Sequence, residues 1–395
     1  MSTNTDRGST ARTSRKRLVL VSAAVAAVAG SVAAGTALAA GPSLPSVSAQ
    51  NLLARALSSH QQVFSGTIES TVDLGLPSQL VSQLPSALGA KSGAGASADP
   101  QAQQAQQQLL SLLSGTHDFD VAMDGPNRQA FSSTDTGSTV RFVHNGTEAW
   151  SYDSRSNQAV QYTGINPDEA TTHPSAPAMT TPADAARMLQ EIAPFSSVTV
   201  DGNSMVAGRQ VYVLVISPKG QGSTIGDVRL SVDARTDMPL GVQVDPSDGS
   251  SPIADVRFAS ISYAEPAAST FDFTLPQGAK LVTKSGAQVG HEQTHSPARP
   301  GAPKPQGAPG AQDHADDVQM IGTGWTTVYK ISPSATAKDA KNGKGGSMAS
   351  ALQSIGHSVP GGTLFTTKAF NVLITDNGTV YAGAVTPQYL ESLAK

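Results

Sequence analysis

The chain has 395 residues, 38% of them hydrophobic and only 14% charged, and it contains no cysteine. That length allows one sizeable core plus a smaller module, while the missing cysteine excludes disulfides, a thiol nucleophile and a lipobox anchor. The formal net charge is −4, and residues 1–39, with Arg7, Arg12, Arg15, Lys16 and Arg17 against Asp6, hold +4 of it; the remainder at −8 has no basic run, which excludes nucleic acid as a partner.

The basic residues precede an apolar run from Leu18 to Ala40 that ends in Ala37-Leu38-Ala39, a small-x-small cleavage pattern. Residues 1–39 therefore read as a secretory signal, with an uncleaved membrane anchor as the alternative, and the protein is expected outside the cytoplasmic membrane, secreted or N-terminally anchored. Ser48 is placed to cap a helix whose stripe is Leu52, Leu53, Ala56 and Leu57. Runs of period two follow: Phe64, Ile68 and Val72, then Phe119, Val121 and Met123, then Val140 and Phe142, then Trp150 and Tyr152, and Val160 and Tyr162 after a polar turn. Residues 77–115, rich in Ser, Gly, Ala and Gln, interrupt them as a low-complexity insertion.

A second helix is announced by Thr181 as N-cap, Pro182 at its first position and Asp184 in a capping-box-like place, with Ala185, Met188, Leu189 and Ile192 as its apolar stripe. Strands resume at Val198 and Val200, at Tyr212 to Ile216, at Val228 to Val232, at Leu240 to Val244 and at Val256 to Tyr263. The fold expected over residues 40–284 is mainly antiparallel β, an open half-barrel of about ten strands closed by two helices. Residues 285–317 form a Pro/Gly-rich linker, and residues 318–395 a small C-terminal α+β module: a strand from Gln319 to Tyr329, a helix from Ser347 to Ile355, two strands between Thr363 and Ala384 joined by a type I′ turn at Asn377-Gly378, and a closing helix after Thr386-Pro387.

The linker contains His291-Glu292-Gln293-Thr294-His295, the letters of a zinc-peptidase motif. The motif requires a helix that puts both histidines on one face. Here Gly286, Gly290, Pro297 and Pro300 flank it, Val289 is its only large aliphatic, and Ala298 and Gly301 stand where a metzincin's glycine and third histidine belong. The zinc reading is thus the remote one, and no cofactor or metal ligand is assigned. His60, His117, His144, His173 and His357 are scattered singly, and no phosphate loop or GxSxG elbow occurs, so an enzyme is not expected. Asn145-Gly146-Thr147 and Asn377-Gly378-Thr379 match a glycosylation sequon but read first as turns.

Two modest helices do not fill the concave side of so long a sheet, and an apolar, partly unfilled concavity suits an acyl chain. The candidate ligand-binding residues are Leu53 and Leu57 from the first helix, Met188 and Leu189 from the second, and Ile68, Phe119, Phe142, Trp150 and Tyr152 from the strands.

In this order of elements SAQNLLARAL, FSGTIESTVDLGLP, NGTEAWSYDSRSNQAVQY, TPADAARMLQEI, SVDARTDMPLGVQV and FDFTLPQGAKLV resemble the actinobacterial LolA-like proteins, relatives of the lipoprotein carrier LolA and of the N-terminal domain of the sigma-E regulator MucB/RseB. The most specific piece is Phe271-x-Phe273-x-x-Pro276-x-Gly278-Ala279, and GTGWTTVYK with NVLITDNGTVYAGAV resembles the C-terminal extension of the same group. The resemblance implies a non-catalytic carrier that takes a lipid or an acylated lipoprotein into its hydrophobic cavity. Its alternative is an envelope-stress regulator that binds an anti-sigma factor or another membrane protein. Carriers of this family are commonly lipoproteins, and this chain lacks the cysteine for that anchor.

Overall fold

The computed structural model describes residues 44–76, 114–135, 137–165, 182–285, 318–333 and 356–394. The signal or anchor run, most of the 77–115 insertion, the HEQTH linker and the expected helix from Ser347 to Ile355 lie outside them. No helix among the described residues is long and apolar enough to cross a membrane.

Helix α1 (Ala49–Leu57) begins where expected: Ser48 is extended, and its hydroxyl accepts a hydrogen bond from the Asn51 amide at 3.2 Å. Twelve strands then build one open sheet: β1 (Val63–Asp73), β2 (Ser114–Asp124), β3 (Arg128–Asp135), β4 (Ser138–Asn145), β5 (Glu148–Asp153), β6 (Gln158–Thr163), β7 (Ser196–Val206), β8 (Arg209–Pro218), β9 (Ile225–Asp233), β10 (Pro239–Pro246), β11 (Ala254–Ser262) and β12 (Lys280–Ser285). Their order is β12-β6-β5-β4-β3-β2-β1-β11-β10-β9-β8-β7. Helix α2 (Pro182–Ile192) lies between β6 and β7 in the chain and packs on α1.

Two features correct the expectation of about ten antiparallel strands. The strand β3, RQAFSSTD, was hidden because Phe131 is its one large apolar residue. The strand β12 runs parallel to β6, so the sheet is mixed, and among the described residues it has β12 and β7 as edges rather than closing. The edge β12 reads KLVTKS, and lysines on an edge oppose pairing with another chain. Ser114 and Gly115 belong to β2 rather than to the insertion.

Register decides which side chains share a face, because residues directly opposite across a ladder point the same way. From Leu214 the rungs run through Leu230, Val242 and Val256 to Ser70, so one face is continuous from β8 to β1. Helices α1 and α2 sit on this face over β7–β9: Leu52, Leu53, Ala54, Ala56 and Ala185 form one cluster with Tyr212, Leu214 and Val232.

The chain from β11 to β12 crosses the opposite face. The 3-10 turn Ala268–Phe271 lodges Phe271, 1% exposed, against Ala122 and Val143, and Arg141 donates to the carbonyls of Thr270 and Asp272 at 3.3 and 3.2 Å. Phe273 stacks on Trp150, ring centroids 4.9 Å apart. The FDFTLP segment is therefore a structural strap, with its two phenylalanines as the pegs.

The second sheet holds β13 (Val318–Ile321), β14 (Val328–Ile331), β15 (His357–Val359), β16 (Gly362–Thr366), β17 (Asn371–Thr375) and β18 (Val380–Gly383), in the order β13-β14-β18-β17-β16-β15, with α3 (Pro387–Leu393) packed through Leu390. The single strand expected from Gln319 to Tyr329 is two strands, parted by Gly322 and Gly324 at φ +83° and +58°. Three strands, not two, fill Thr363 to Ala384. The Asn377-Gly378 turn is not type I′: only Gly378 has positive φ, and the Asn377 carboxamide oxygen accepts instead from the Thr379 amide at 3.0 Å and the Thr375 hydroxyl at 2.7 Å.

The two sheets are joined by backbone and side-chain bonds. Ser223 bridges Val385, the Thr224 amide donates to Ala384 at 3.0 Å, and the Thr386 amide to Gly222 at 2.8 Å. The ammonium of Lys368 pairs with Asp73 and donates to Ser251 at 2.7 Å. The Trp325 indole N–H donates to the Ser196 hydroxyl at 2.7 Å, and Gly324 lies so close to Phe195 that a Cβ would fall 2.5 Å from its ring.

Candidate apolar binding face

The helix-bearing face continues past the helices as an apolar wall. Ile261, Gly66, Val121, Phe131, Phe142, Ser151 and Val160 stand rung by rung across β11, β1, β2, β3, β4, β5 and β6. Phe119 stacks on Phe131 with centroids 4.7 Å apart and an interplanar angle of 28°. Phe142, next in the row, is 37% exposed. A large aromatic left open in the middle of a strand, between Phe131 and Ser151, has unfilled contact area.

The candidate residues fall into three places. Leu53, Met188 and Leu189 meet in the cluster between the helices and β7–β9, while Leu57, the last residue of α1, is exposed. Ile68, Phe119 and Phe142 share the same face on β1, β2 and β4, with Ile68 packed in a second cluster beside Phe258 and Leu240. Trp150 and Tyr152 are not brought together with the rest: Trp150 stands opposite Val143 and Tyr152 opposite Arg141, on the other face, beneath Phe273. A two-residue turn at Gly146-Thr147 pairs Asn145 with Glu148, so residues of equal parity on its two arms point in opposite directions. Phe142 and Trp150 are both even-numbered and hence lie on opposite faces.

Phe131 and Val160 were missed as wall residues. The same parity rule applied to Phe142 leads directly to Ser151 and then Val160 on the far arm, whereas Phe131 could be placed only once β3 was known to be a strand.

Beside the helices, a polar cluster fixes the end of α1. Asp233, 1% exposed, pairs with Arg209, accepts from the Arg235 amide at 2.8 Å and from the Tyr263 hydroxyl at 2.9 Å. Burial alone would lift this carboxyl, but those hydrogen bonds overcome it and hold Asp233 below its usual range. The Arg209 guanidinium also lies over the Tyr263 ring, 4.6 Å from its centroid. Arg55 on α1 reaches Asp237 in the β9–β10 turn at 2.5 Å, which ties the helix to the sheet.

Among the described residues no group of three or more His, Asp or Glu side chains is placed to hold a metal ion. The geometry offers apolar surface beside polar groups that are already hydrogen-bonded to one another.

No protein-family model matches the chain, and no curated protein matches it by sequence. Among solved structures, it is similar to Pseudomonas aeruginosa MucB in complex with MucA, at 15% identity over 88% of this chain and 96% of that one, with a TM-score of 0.37. It is also similar to an uncharacterised conserved protein from Thermus thermophilus, at 11% identity over 60% of this chain and 99% of that one, TM-score 0.29. A LolA superfamily protein from Nitrosomonas europaea aligns at 11% identity over 58% of this chain and 99% of that one, TM-score 0.20.

Proposed function

We propose that the protein is an exported, non-catalytic binder that holds acyl chains, of a lipid or an acylated lipoprotein, against the apolar face of the larger sheet, curved as the half-barrel its sequence implies. The observation that carries this reading is the row through Phe131 and Phe142, continuous with the helix-covered core yet open at Phe142. The energetics favour it: each buried methylene is worth about 0.8 kcal/mol, so roughly ten of them give about 8 kcal/mol before ordering costs. Leu53, Met188 and Leu189 bound the occupied part of the same face, where the helices already supply what the ligand supplies elsewhere.

Native mass spectrometry of the full chain purified from a bacterial envelope tests this. A co-purified species of lipid mass that is lost on delipidation supports the reading, and a bare chain that also fails to take up added fatty acid removes it.

A second reading is a MucB/RseB-like regulator that binds an anti-sigma factor. One feature favours it: the C-terminal sheet is bonded to the larger one and presents Val318, Met320 and Tyr329 exposed on its β13–β14 edge. A protein partner captured through that edge, absent with Met320→Asp, would carry this reading.

A further inference from the structure

We propose that the opposite face of the larger sheet carries a separate polar site for a small zwitterionic ligand of peptide type, with one carboxylate and one ammonium. An open pocket of about 600 Å³ lies there. Its floor is two neighbouring rows of side chains. Glu69, Arg257, Gly241, Ser231 and Val213 stand opposite one another across β1, β11, β10, β9 and β8. Asp255, Gln243, Arg229 and Val215 form the next row. These positions alternate with Leu214, Leu230 and Val242, so the floor faces away from the helices. One wall is the end of β7 and the turn after it, residues 204–207, beyond the bulge between Asp201 and Asn203; across from it stand Phe258 and Ala259 of β11. Gly241 keeps the floor low, since a Cβ there would fall 3.0 Å from that of Arg257.

The charges of the lining select the ligand class. Two carboxylates, Glu69 and Asp255, face two guanidiniums, Arg229 and Arg257. Arg257 holds Asp255 at 2.6 Å but Glu69 only at 3.5 Å, and Arg229 has two long contacts, to Asp201 and Asp245, at 3.3 Å each. A guanidinium has five donors, so both retain capacity for a carboxylate. Burial pushes the Asp255 carboxyl up, Arg257 opposes and Asp245 adds to the rise, so Asp255 gains from an added cation.

A ligand of one sign would draw one set of partners away and leave the opposite set, partly buried, without compensation. A ligand with both signs adds its carboxylate to Arg229, beside the long contacts to Asp201 and Asp245, and gives its ammonium to Glu69 and Asp255, which share Arg257. Val206, Val213 and Phe258 offer small apolar contacts for a side chain such as a methyl group.

The test is calorimetric titration of the full chain with tri-alanine, N-acetyl-tri-alanine and tri-alanine amide at low salt. Binding of the zwitterion, with both capped peptides at least about tenfold weaker, is expected. Arg229→Ala should weaken tri-alanine about tenfold or more while the melting curve stays cooperative; should that variant not fold, Arg229→Lys, which keeps the charge and loses the planar fork, should show the same loss. No binding by any of the three peptides, equal binding by the capped forms, or unchanged binding by the Arg229 variants would overturn the proposal.

Discussion

The two ends of one apolar sheet face differ in how far they are finished. Over β7–β9 the face meets α1 and α2, and Leu214 is 0% exposed in a cluster closed by Leu52, Leu53 and Ala185. Over β2–β4 the same face continues through Phe119 and Phe131 to Phe142, which is 37% exposed. Both ends are fully paired within the one sheet, but β8 reads RQVYVLVISP where β3 reads RQAFSSTD, and only the first lies under the helices. A core end and a proposed binding end of one face should therefore answer mutation differently: the first in stability, the second in affinity.

The largest effect is expected at the covered end. Asp233→Ala leaves Arg209 without its buried partner and should cost about 3–5 kcal/mol in denaturant unfolding. Leu214→Ala removes a fully buried side chain from beneath α1 and should cost about 2–5 kcal/mol, without changing affinity for fatty acid except through unfolding. At the open end, Phe142→Ala should cost less than about 1.5 kcal/mol of stability, because much of the ring already meets solvent, while fatty-acid affinity falls about tenfold. A stability loss at Phe142 as large as at Leu214 would break the comparison, since it would make the open end part of the core.

Acid sharpens it further. Burial works to raise the Asp233 carboxyl, but hydrogen bonds from Arg209, the Arg235 amide and Tyr263 outweigh it and hold the group below its ordinary value of 3.8; Asp73 is held below the same value chiefly by its hydrogen bond with Lys368. A carboxylate depressed in this way contributes stability that is complete above the unfolded pKa and is lost as pH falls through the folded one. Melting temperature should thus hold steady above about pH 5 and decline below about pH 4, and Asp233→Asn should flatten that decline.

Much of this was legible in the sequence, for reasons that can be named. Ser48 and the Leu52–Leu53 stripe gave α1 because capping and helical periodicity are local signals. The strands whose apolar residues alternate, such as Phe119-x-Val121-x-Met123, were readable for the same reason. Strand β3 was hidden because pairing on both sides, not composition, makes RQAFSSTD a strand. The role of FDFTLP as a strap was also hidden, since Phe271 and Phe273 find Val143 and Trp150 only after the chain has crossed the sheet. Placing Trp150 and Tyr152 beside Phe142 failed on register, which the two-residue turn at Gly146-Thr147 settles and which composition does not display. The polar floor with Arg257 and Arg229 belongs to the same class, because its rows join the consecutive strands β8–β11 to β1, which is far from them in the chain.

The most direct measurement is a titration of the full chain with a fluorescent fatty acid such as cis-parinaric acid, comparing Phe142→Asp with Tyr152→Phe. Both residues are aromatic and lie on adjacent strands, but they stand on opposite faces. The account predicts that Phe142→Asp weakens uptake at least about tenfold with the fold retained, because it puts a charge on the apolar wall, while Tyr152→Phe binds as the unmodified chain does. Unchanged uptake by a folded Phe142→Asp variant would contradict it.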